Sequence, residues 1–316
     1  MQSPRGAKSP WEPPSPRRPR CSRASNSTTR SSPVAADRKE QPPAPEPLEV
    51  QVADNHCHLG YGTKGIELDA IRVALDQAAA VGVTRIVDVG FDLASSANAV
   101  AVAEQFDRVM AAVAIHPNDA ARLEHDLDHA VDQIEALATS SVVRAIGETG
   151  LDYFRTGESG RPAQHHSFRR HIDIARRLDK TLVIHDRDSH DDILAVLDAA
   201  QTPDRIVMHC FSGDDYFAKK CLDRGAFLSF AGTVTFKNAQ NLRDALLVAP
   251  LDRILVETDA PFLTPEPYRG RRNASYLIPH TIRFMAEVRN MDVNELCEAV
   301  DSNTSAAFGG GWFSNH

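Results

Sequence analysis

The feature that most constrains the fold of this chain is a regular alternation of short apolar segments with longer amphipathic ones. Eight apolar segments, rich in β-branched residues, occupy residues 52–58, 85–90, 109–116, 143–152, 181–186, 205–211, 226–232 and 254–261. Residues 68–81, 93–106, 164–178 and 193–200 lie between them and have the apolar spacing of helices. Continuous apolar strands that alternate with helices are typical of a parallel sheet covered by helices.

Eight such units within about 260 residues predict an α/β fold, namely a (β/α)8 TIM barrel. The alternative is an open, doubly wound parallel sheet, which usually has fewer strands. The chain lacks the GxxxxGK[ST] loop that binds phosphates in many open sheets. The strand count therefore favours the barrel.

The first 48 residues differ in composition from the rest of the chain. They contain 11 of the 19 prolines and have a net charge of +5, whereas the whole chain carries −8 and residues 49–316 therefore carry −13. A segment with so little apolar periodicity cannot bury enough apolar surface to offset the conformational entropy that it would lose on ordering. We expect residues 1–48 to be a disordered Pro/Ser/Arg-rich tail without contacts to the barrel, and residues 49–316 to form the barrel domain.

Composition also limits the cellular compartments and the kinds of partner that the sequence predicts. No segment approaches the ~18 consecutive apolar residues of a membrane helix, and no apolar stretch of a secretory signal follows the basic start. The five cysteines are odd in number and contain no CxxC pair, which is typical of a reducing compartment. These features predict a cytoplasmic protein with no membrane association and no obligate protein partner. The acidic body argues against a broad basic surface for nucleic acids.

Most of the predicted strands end in residues that can bind metal ions or phosphate. They are His56, His58, His116, Glu148, His185, His209 and Asp259. The carboxyl ends of the strands in a parallel barrel lie on one face, so these side chains should converge there. Imidazoles with carboxylates suit zinc, manganese, cobalt or nickel, and magnesium less well. Without His116 the set has six ligands, which are too many for one tetrahedral ion and predict two divalent ions that share a carboxylate.

Other histidines and cysteines are predicted to have structural or surface positions. Strand alternation directs Cys57 and Cys210 away from the convergent face, so both are assigned to packing. The histidines on predicted helices or loops are interpreted as surface residues: His165, His166, His171 and His190.

The strand-end motifs resemble those of the TatD family of metal-dependent deoxyribonucleases. The resemblance rests on DNHCHL at residues 54–59, AIHP at 114–117, AIGETGLDY at 145–153, VIHDR at 183–187, MHCFSG at 208–213, ETDAPFLTP at 257–265 and RGRRN at 269–273. It covers the whole predicted barrel but not the tail. It implies a TIM barrel of the metal-dependent hydrolase type that cleaves phosphodiester bonds in DNA, with single-stranded DNA or a 3′ end as the expected partner.

By motif, the resemblance implies that His56 and His58 hold a first metal ion, while Glu148 bridges to a second. His185 and His209 match the ligands of the second ion, and Asp259 matches the family's aspartate after the eighth strand. The expected cofactors are two divalent ions, magnesium, manganese or zinc. The chain departs from the family at His116-Pro117-Asn118, where many members have a second histidine in place of Asn118. It also departs at Asn273-Ala274-Ser275, where many members have an acid and a proline after the Asn.

The hypothesis for catalysis assigns roles to residues around these ions. Asp259 is expected to orient the attacking water and to take its proton as general base, and Glu148 to hold the two ions. His116 is expected to contact the scissile phosphate. Since guanidinium groups match phosphate oxygens, four arginines are predicted to bind DNA phosphates: Arg187, Arg269, Arg271 and Arg272. Tyr153, Phe211 and Phe262 are interpreted as packing residues with partial exposure at the rim, with stacking on an unpaired base as the alternative.

Two alternative functions remain open from the sequence. The same metal barrel hydrolyses C–N bonds in cyclic amides and deaminates bases, and the ligand set does not distinguish phosphorus from carbon electrophiles. The arginine-rich segment at 269–272 favours a phosphorylated substrate. The other alternative is a non-catalytic binding protein, which is disfavoured because all six ligand candidates are present.

Overall fold

The eight predicted strands form a single parallel sheet. In this computed structural model, which describes residues 41–62 and 65–310, the strands are hydrogen-bonded in chain order. They are β1 (Val52–Cys57), β2 (Val83–Val89), β3 (Val109–Val113), β4 (Val143–Asp152), β5 (Thr181–Arg187), β6 (Ile206–Met208), β7 (Phe227–Phe230) and β8 (Ile254–Val256).

Helices follow each strand on the outside of the sheet. They are α1 (Leu68–Ala79), α2 (Leu93–Ala103), α3 (Pro117–Leu123), α4 (Leu127–Ala138), α5 (Arg161–Arg177), α6 (His190–Ala199), α7 (Asp215–Leu222), α8 (Gln240–Val248), α9 (Ile278–Arg289) and α10 (Val293–Ala307). In the part of the chain that the structure describes, no helix is long and apolar enough to cross a membrane.

The sheet closes into a barrel where β1 meets the segment after β8. The Asp259 N–H donates to the His56 carbonyl at 2.9 Å, and the His58 N–H donates to the Ala260 carbonyl at 2.8 Å. The buried Asp54 carboxylate strengthens this seam, because it accepts bonds from the N–H and the hydroxyl of Thr258 at 2.9 and 2.6 Å. The (β/α)8 TIM barrel is therefore confirmed, and the open sheet is wrong.

Two strands end earlier than their apolar runs predict. Ladder pairing in β6 stops at Met208 and in β8 at Val256. Cys210 and Asp259, which lie beyond these ends, have positive φ values of 43° and 54°. A residue with left-handed backbone cannot continue a strand, so the chain turns there and directs His209 and Asp259 towards the mouth of the barrel.

GYGTKG at residues 60–65 has the GxGxxG spacing of dinucleotide-binding loops, but it follows β1 of a closed barrel.

The core has two layers. Inside the barrel, strand side chains such as Val87, Val183 and Leu255 pack with Phe308, which follows α10. The hydroxyl of Thr181, at the start of β5, donates to the Ala307 carbonyl at 2.6 Å and fixes the end of α10 there. A larger apolar layer lies between the outer face of the sheet and the helices. The floor of the barrel is thus closed, and the carboxyl ends of the strands form its accessible face.

The last residues of the predicted tail contact the barrel. Residues 1–40 lie outside the described residues, but the Pro42 carbonyl accepts a 2.6 Å bond from the Tyr276 hydroxyl. The Arg283 guanidinium donates to the Glu46 and Pro47 carbonyls at 2.8 and 3.0 Å, and Leu48 is buried in the outer core. The expectation that residues 1–48 make no contact is therefore wrong for residues 42–48. Proline-rich backbone leaves its carbonyl groups available, and side chains of the barrel use them.

We predict that Leu48 contributes to the stability of the barrel. Its side chain is 7% exposed, so Leu48→Ala should lower the free energy of unfolding by about 2–3 kcal/mol. Leu247→Ala is the matched control, because Leu247 is 53% exposed on α8 and should cost less than about 0.5 kcal/mol. Urea unfolding measures both changes. Equal, small effects of the two substitutions would show that residues 42–48 do not pack.

Candidate metal centre

All seven strand-end residues predicted from the sequence meet at the mouth of the barrel. His56, Glu148 and His185 lie within strands β1, β4 and β5. The other four follow strand ends or precede a helix: His58, His116, His209 and Asp259. Since the strands are parallel and in chain order, side chains separated by up to 203 positions of sequence become neighbours.

Glu148 lies at the centre of the cluster, and one of its oxygens faces the residues of β1. Oε1 is 4.0 Å from Nε2 of His56 and 3.7 Å from Nε2 of His58. Asp259 completes this half of the site, with Oδ1 at 4.0 Å from His56 and 3.4 Å from His58. Two atoms that are each about 2.1 Å from one ion lie roughly 3–4 Å apart. These distances are thus of the size that a shared ion requires.

The other carboxylate oxygen of Glu148 faces a different set of imidazoles. Oε2 is 2.9 Å from Nε2 of His209, 3.3 Å from Nδ1 of His185 and 3.9 Å from Nε2 of His116. A single carboxylate therefore separates two groups of nitrogen donors and offers one oxygen to each group.

Gly150 permits the close approach of the two strands that carry Glu148 and His185. In the β4–β5 ladder Gly150 pairs with His185, and its φ is +135°. A Cβ at this position would lie 2.1 Å from the His185 carbonyl oxygen, so no side chain fits. Glycine is required here for both space and backbone conformation.

Three histidines are oriented by acceptors on the nitrogen that faces away from Glu148. His58 directs Nδ1 at the Val89 carbonyl at 2.6 Å. His209 directs Nδ1 at Oε1 of Glu257 at 3.0 Å, and His185 directs Nε2 at Oδ2 of Asp152 at 3.3 Å. In the neutral ring, a far nitrogen that donates its hydrogen leaves a lone pair on the near nitrogen, which is the usual arrangement of histidine ligands to metals.

Sequence reasoning missed Asp152 and Glu257 as parts of the site. Both are buried acids in the motifs that also contain Glu148 and Asp259. A buried carboxylate needs a partner, which is a signal that could have identified them. Which histidine each one holds depends on the register between neighbouring strands.

His116 has the opposite arrangement. Its Nδ1 accepts a 3.1 Å bond from the Asn118 N–H, so in the neutral imidazole the hydrogen lies on Nε2, which faces Glu148. Burial is the main reason that its pKa falls to about 3, and the ring is neutral near pH 7. His116 therefore presents a hydrogen-bond donor to the site rather than a lone pair.

Burial and mutual charge set the pKa values of the cluster. Burial alone would raise the pKa of Glu148, but the imidazoles of His116 and His209 outweigh it and hold that pKa well below its usual value. Burial opposes protonation of His58, yet the Asp259 and Glu148 carboxylates raise its pKa to about 9. In His56 burial dominates and lowers the pKa well below the usual value.

The chemistry of these residues fits divalent metal ions. Both ring nitrogens of His56 are buried and have no hydrogen-bond partner among the described residues. An unsatisfied buried nitrogen costs free energy, and an ion between His56, His58 and Glu148 would satisfy it. Those three side chains place ligand atoms within 4.8 Å of one another, and His209 and His185 lie 2.9 and 3.3 Å from the other oxygen of Glu148.

Comparison with known proteins agrees with this site. The model of the family described as "TatD related DNase" matches residues 53–309. The chain belongs to the TatD family. It is 41% identical over 266 residues, 83% of this chain and 99% of the relative, to the "Uncharacterized metal-dependent hydrolase TatD" of Mycobacterium tuberculosis. It is 36% identical over 264 residues, 81% of this chain and 95% of the relative, to the "Uncharacterized metal-dependent hydrolase YcfH" of Escherichia coli.

Comparison with solved structures also identifies a TatD homologue. The crystal structure of YjjV, a TatD homologue from Escherichia coli, superposes with a TM-score of 0.75 at 28% identity and covers 82% of this chain and 98% of that chain. The resemblance read from the motifs is thus confirmed, and the protein is a metal-dependent hydrolase of the TatD family.

Asn118, where the resemblance implied a second histidine, is hydrogen-bonded to a carboxylate of the metal centre. Its Nδ2 donates to Oδ2 of Asp152 at 3.1 Å, and its Oδ1 accepts from the Thr156 hydroxyl at 2.8 Å. The Asp152 oxygen that Asn118 holds also faces His185. Asn118 therefore connects the start of α3 with the carboxylate that orients a metal-ligand candidate.

Asn273, the last residue of the RGRRN motif, has a structural role beside the site. Asn273 is buried, and its Nδ2 donates to the carbonyls of Thr258 and Phe262 at 2.8 and 2.6 Å. These bonds hold the loop that follows β8 against the residue before Asp259. The rest of the loop, which carries the arginines, is attached to this anchor.

The four predicted phosphate-binding arginines lie at the end of β5 and in the loop that follows β8. Arg187 ends β5 and is exposed, with its guanidinium carbon 4.1 Å from the centre of the Phe154 ring. Arg269 is exposed and stacks on Phe236 at 4.1 Å, while Arg271 is half-buried over Tyr268 at 5.5 Å. Arg272 is exposed in the same loop.

The other predicted positions have mixed outcomes. Phe211 is buried against Phe217 and belongs to the core, so its stacking alternative is wrong, while Cys57 packs in the outer core as predicted. The surface assignment of His171 is wrong. His171 is buried, and its Nε2 accepts the Ile115 N–H at 3.2 Å, next to His116.

We predict that metal uptake releases protons at neutral pH. The Asp152 and Glu148 carboxylates raise the pKa of His185 to about 8 against the effect of burial, and the pKa values of His58 and His209 are also raised. A ligand must lose its proton to bind, so loading at pH 7 should release roughly one to three protons per chain, and loading at pH 10 almost none. Calorimetric titration with manganese in buffers of different ionisation enthalpy measures this number. Absence of proton release at pH 7 would contradict the assignment of these histidines as ligands.

Proposed function

We propose that the protein hydrolyses phosphodiester bonds in DNA with the help of two divalent ions. The observation that carries the proposal is the shared Glu148 carboxylate, whose oxygens face two separate groups of histidines. One ion would be held by His56, His58, Asp259 and Glu148. The other would be held by Glu148, His185 and His209.

Bound at these positions, divalent ions would supply Lewis acidity to a water molecule and to a phosphoryl oxygen. Asp259 orients that water. Its Oδ1 faces His58 and His56, whereas Oδ2 makes no hydrogen bond to a described residue, and the side chain is 16% exposed. Oδ2 can therefore take the proton of the water as its oxygen bonds to phosphorus and the bond to the leaving oxygen breaks.

His116 contributes a hydrogen bond to the phosphate. Because its Nδ1 accepts the Asn118 N–H, its Nε2–H points into the site. A neutral donor at this position stabilises the charge that develops on a phosphoryl oxygen. It does so without competing for an ion.

The arginines favour a phosphorylated substrate over a cyclic amide. Among the described residues, Arg187, Arg269 and Arg272 have no carboxylate within ion-pair distance, whereas arginines on the outer helices, such as Arg170 and Arg177, are paired with acids. An exposed guanidinium beside a metal cluster suits a polyanion. The description of the matched family as DNases supports DNA in particular.

A panel of substrates tests this function directly. Purified protein is supplied with magnesium, manganese or zinc and incubated with end-labelled single-stranded DNA, duplex DNA and small cyclic amides. We expect cleavage of DNA, with single strands preferred. Hydrolysis of the cyclic amides with no cleavage of DNA would replace this proposal by the C–N alternative.

We predict that Asp259→Asn separates catalysis from binding. Asn adopts the left-handed conformation that this position requires, φ = 54°, and retains an oxygen for the first ion but cannot take a proton. Single-turnover hydrolysis of DNA should fall by about 10²–10⁴-fold, while DNA affinity changes little. Rapid-quench and binding assays measure the two quantities, and metal analysis gives the content of ions.

The matched control is Asp179→Asn. Asp179 also has a positive φ, 50°, but it lies just before β5, at the closed floor of the barrel, where its exposed carboxylate pairs with Arg205. The same substitution in the same backbone conformation should leave hydrolysis unchanged. If Asp259→Asn hydrolyses DNA within threefold of the unsubstituted protein, Asp259 is not the base.

A further inference from the structure

Phe154 is exposed beside the metal centre and is not needed for packing. It is 60% exposed and the only exposed phenylalanine within residues 41–62 and 65–310. By contrast Phe236, which also stacks with an arginine, is partly buried against the outer core. Phe154 follows by two residues Asp152, whose carboxylate faces His185, so its exposed ring is available to a ligand near the metal centre.

The backbone holds Phe154 in a fixed position. On one side, the Tyr153 N–H donates to the Arg187 carbonyl at 2.9 Å. On the other side, the Arg155 N–H donates to Oδ1 of Asp152 at 2.8 Å. The ring is therefore presented by a turn that is bonded at both ends.

Neighbouring side chains stabilise the same turn. The Tyr153 hydroxyl contacts Nε2 of His165 at 2.7 Å and Oδ2 of Asp192 at 2.5 Å. The guanidinium of Arg161 covers the Tyr153 ring at 4.0 Å. Tyr153 is thus occupied by its own contacts, and Phe154 is the aromatic side chain of this turn that remains open to solvent.

The turn is directly connected to the metal ligands. Asp152 pairs with Arg187 in the β4–β5 ladder, and its Oδ2 faces His185 at 3.3 Å. Arg187 follows His185 by two residues. A nucleotide that contacts the Phe154–Arg187 pair would therefore adjoin a phosphate in the metal centre.

The two side chains offer complementary chemistry. Arg187 lies over the Phe154 ring, 4.1 Å from its centre, and Phe154 is 60% exposed. A nucleobase can stack on an exposed aromatic ring. The guanidinium hydrogens, which have no acceptor among the described residues, can bind a phosphate of the same strand.

We propose that Phe154 and Arg187 form a subsite for one unpaired nucleotide next to the scissile phosphate, in which the base stacks on the ring and the guanidinium holds the phosphate. This subsite rests on the proposed hydrolysis of DNA and specifies the form of the substrate. Paired bases have both faces covered within the duplex, so the subsite selects single strands or frayed ends.

The test compares probes with and without bases. Binding is measured by fluorescence anisotropy, in the Asp259→Asn background so that the DNA stays intact. The probes are oligothymidine of about ten nucleotides and an abasic tetrahydrofuran strand with the same number of phosphates. Each is labelled at the end remote from the expected site.

Phe154→Leu should weaken binding of oligothymidine about tenfold and leave binding of the abasic strand unchanged within about twofold. Phe154→Tyr keeps an aromatic ring and should bind both probes as Phe154 does. Arg187→Ala should weaken both probes and lower the slope of affinity against salt by about one. Leu247→Ala, which exchanges an exposed apolar residue on α8, is the control and should change neither.

Two outcomes overturn the subsite. Phe154→Leu with unchanged affinity for oligothymidine shows that no base stacks on the ring. Equal losses on both probes show that the ring only shapes the turn. If either outcome is found and the unsubstituted protein cleaves DNA, the subsite proposal is wrong but the proposed function is not contradicted. If it neither cleaves nor binds any DNA, the proposed function fails with it.

Discussion

The metal centre depends on the closure of the barrel between β1 and the segment after β8. Two backbone hydrogen bonds, from Asp259 to His56 and from His58 to Ala260, join the ends of the sheet at the residues that carry the ligands. The hydrogen bonds that close the barrel therefore also fix the positions of the metal-ligand candidates. A change that opens this seam, such as loss of the Asp54–Thr258 bonds, would separate Asp259 from His56 and His58.

The five histidines around Glu148 divide according to what their second nitrogen contacts. In His58, His185 and His209 that nitrogen has an acceptor and the pKa is raised, so loss of one proton leaves a lone pair on the nitrogen that faces the carboxylate. His116 has a backbone donor there and presents a hydrogen instead. Residues of one type thereby take different roles in one buried cluster, because hydrogen bonds outside the cluster fix each tautomer.

The sequence predicts those parts of the molecule that depend on the spacing of apolar residues and on the residues at the strand ends. The apolar runs locate the eight strands, and parallel topology then brings Glu148 and Asp259 to the same face without knowledge of side-chain contacts. Contacts that depend on register or on a particular turn could not be predicted, as for Asp152, which holds His185, and Phe154, which is exposed after β4. The contact of Leu48 was missed because proline-rich composition suggests disorder, whereas packing depends on the few residues that meet the barrel.

Anomalous diffraction from crystals grown with manganese tests the central claim most directly, namely that Glu148 is shared by two ions. The account predicts two anomalous peaks about 3.5–4 Å apart, one bound by His56, His58 and Asp259 and the other by His185 and His209, with Glu148 bound to both. A single peak at full manganese saturation, or peaks that do not contact Glu148, would contradict it.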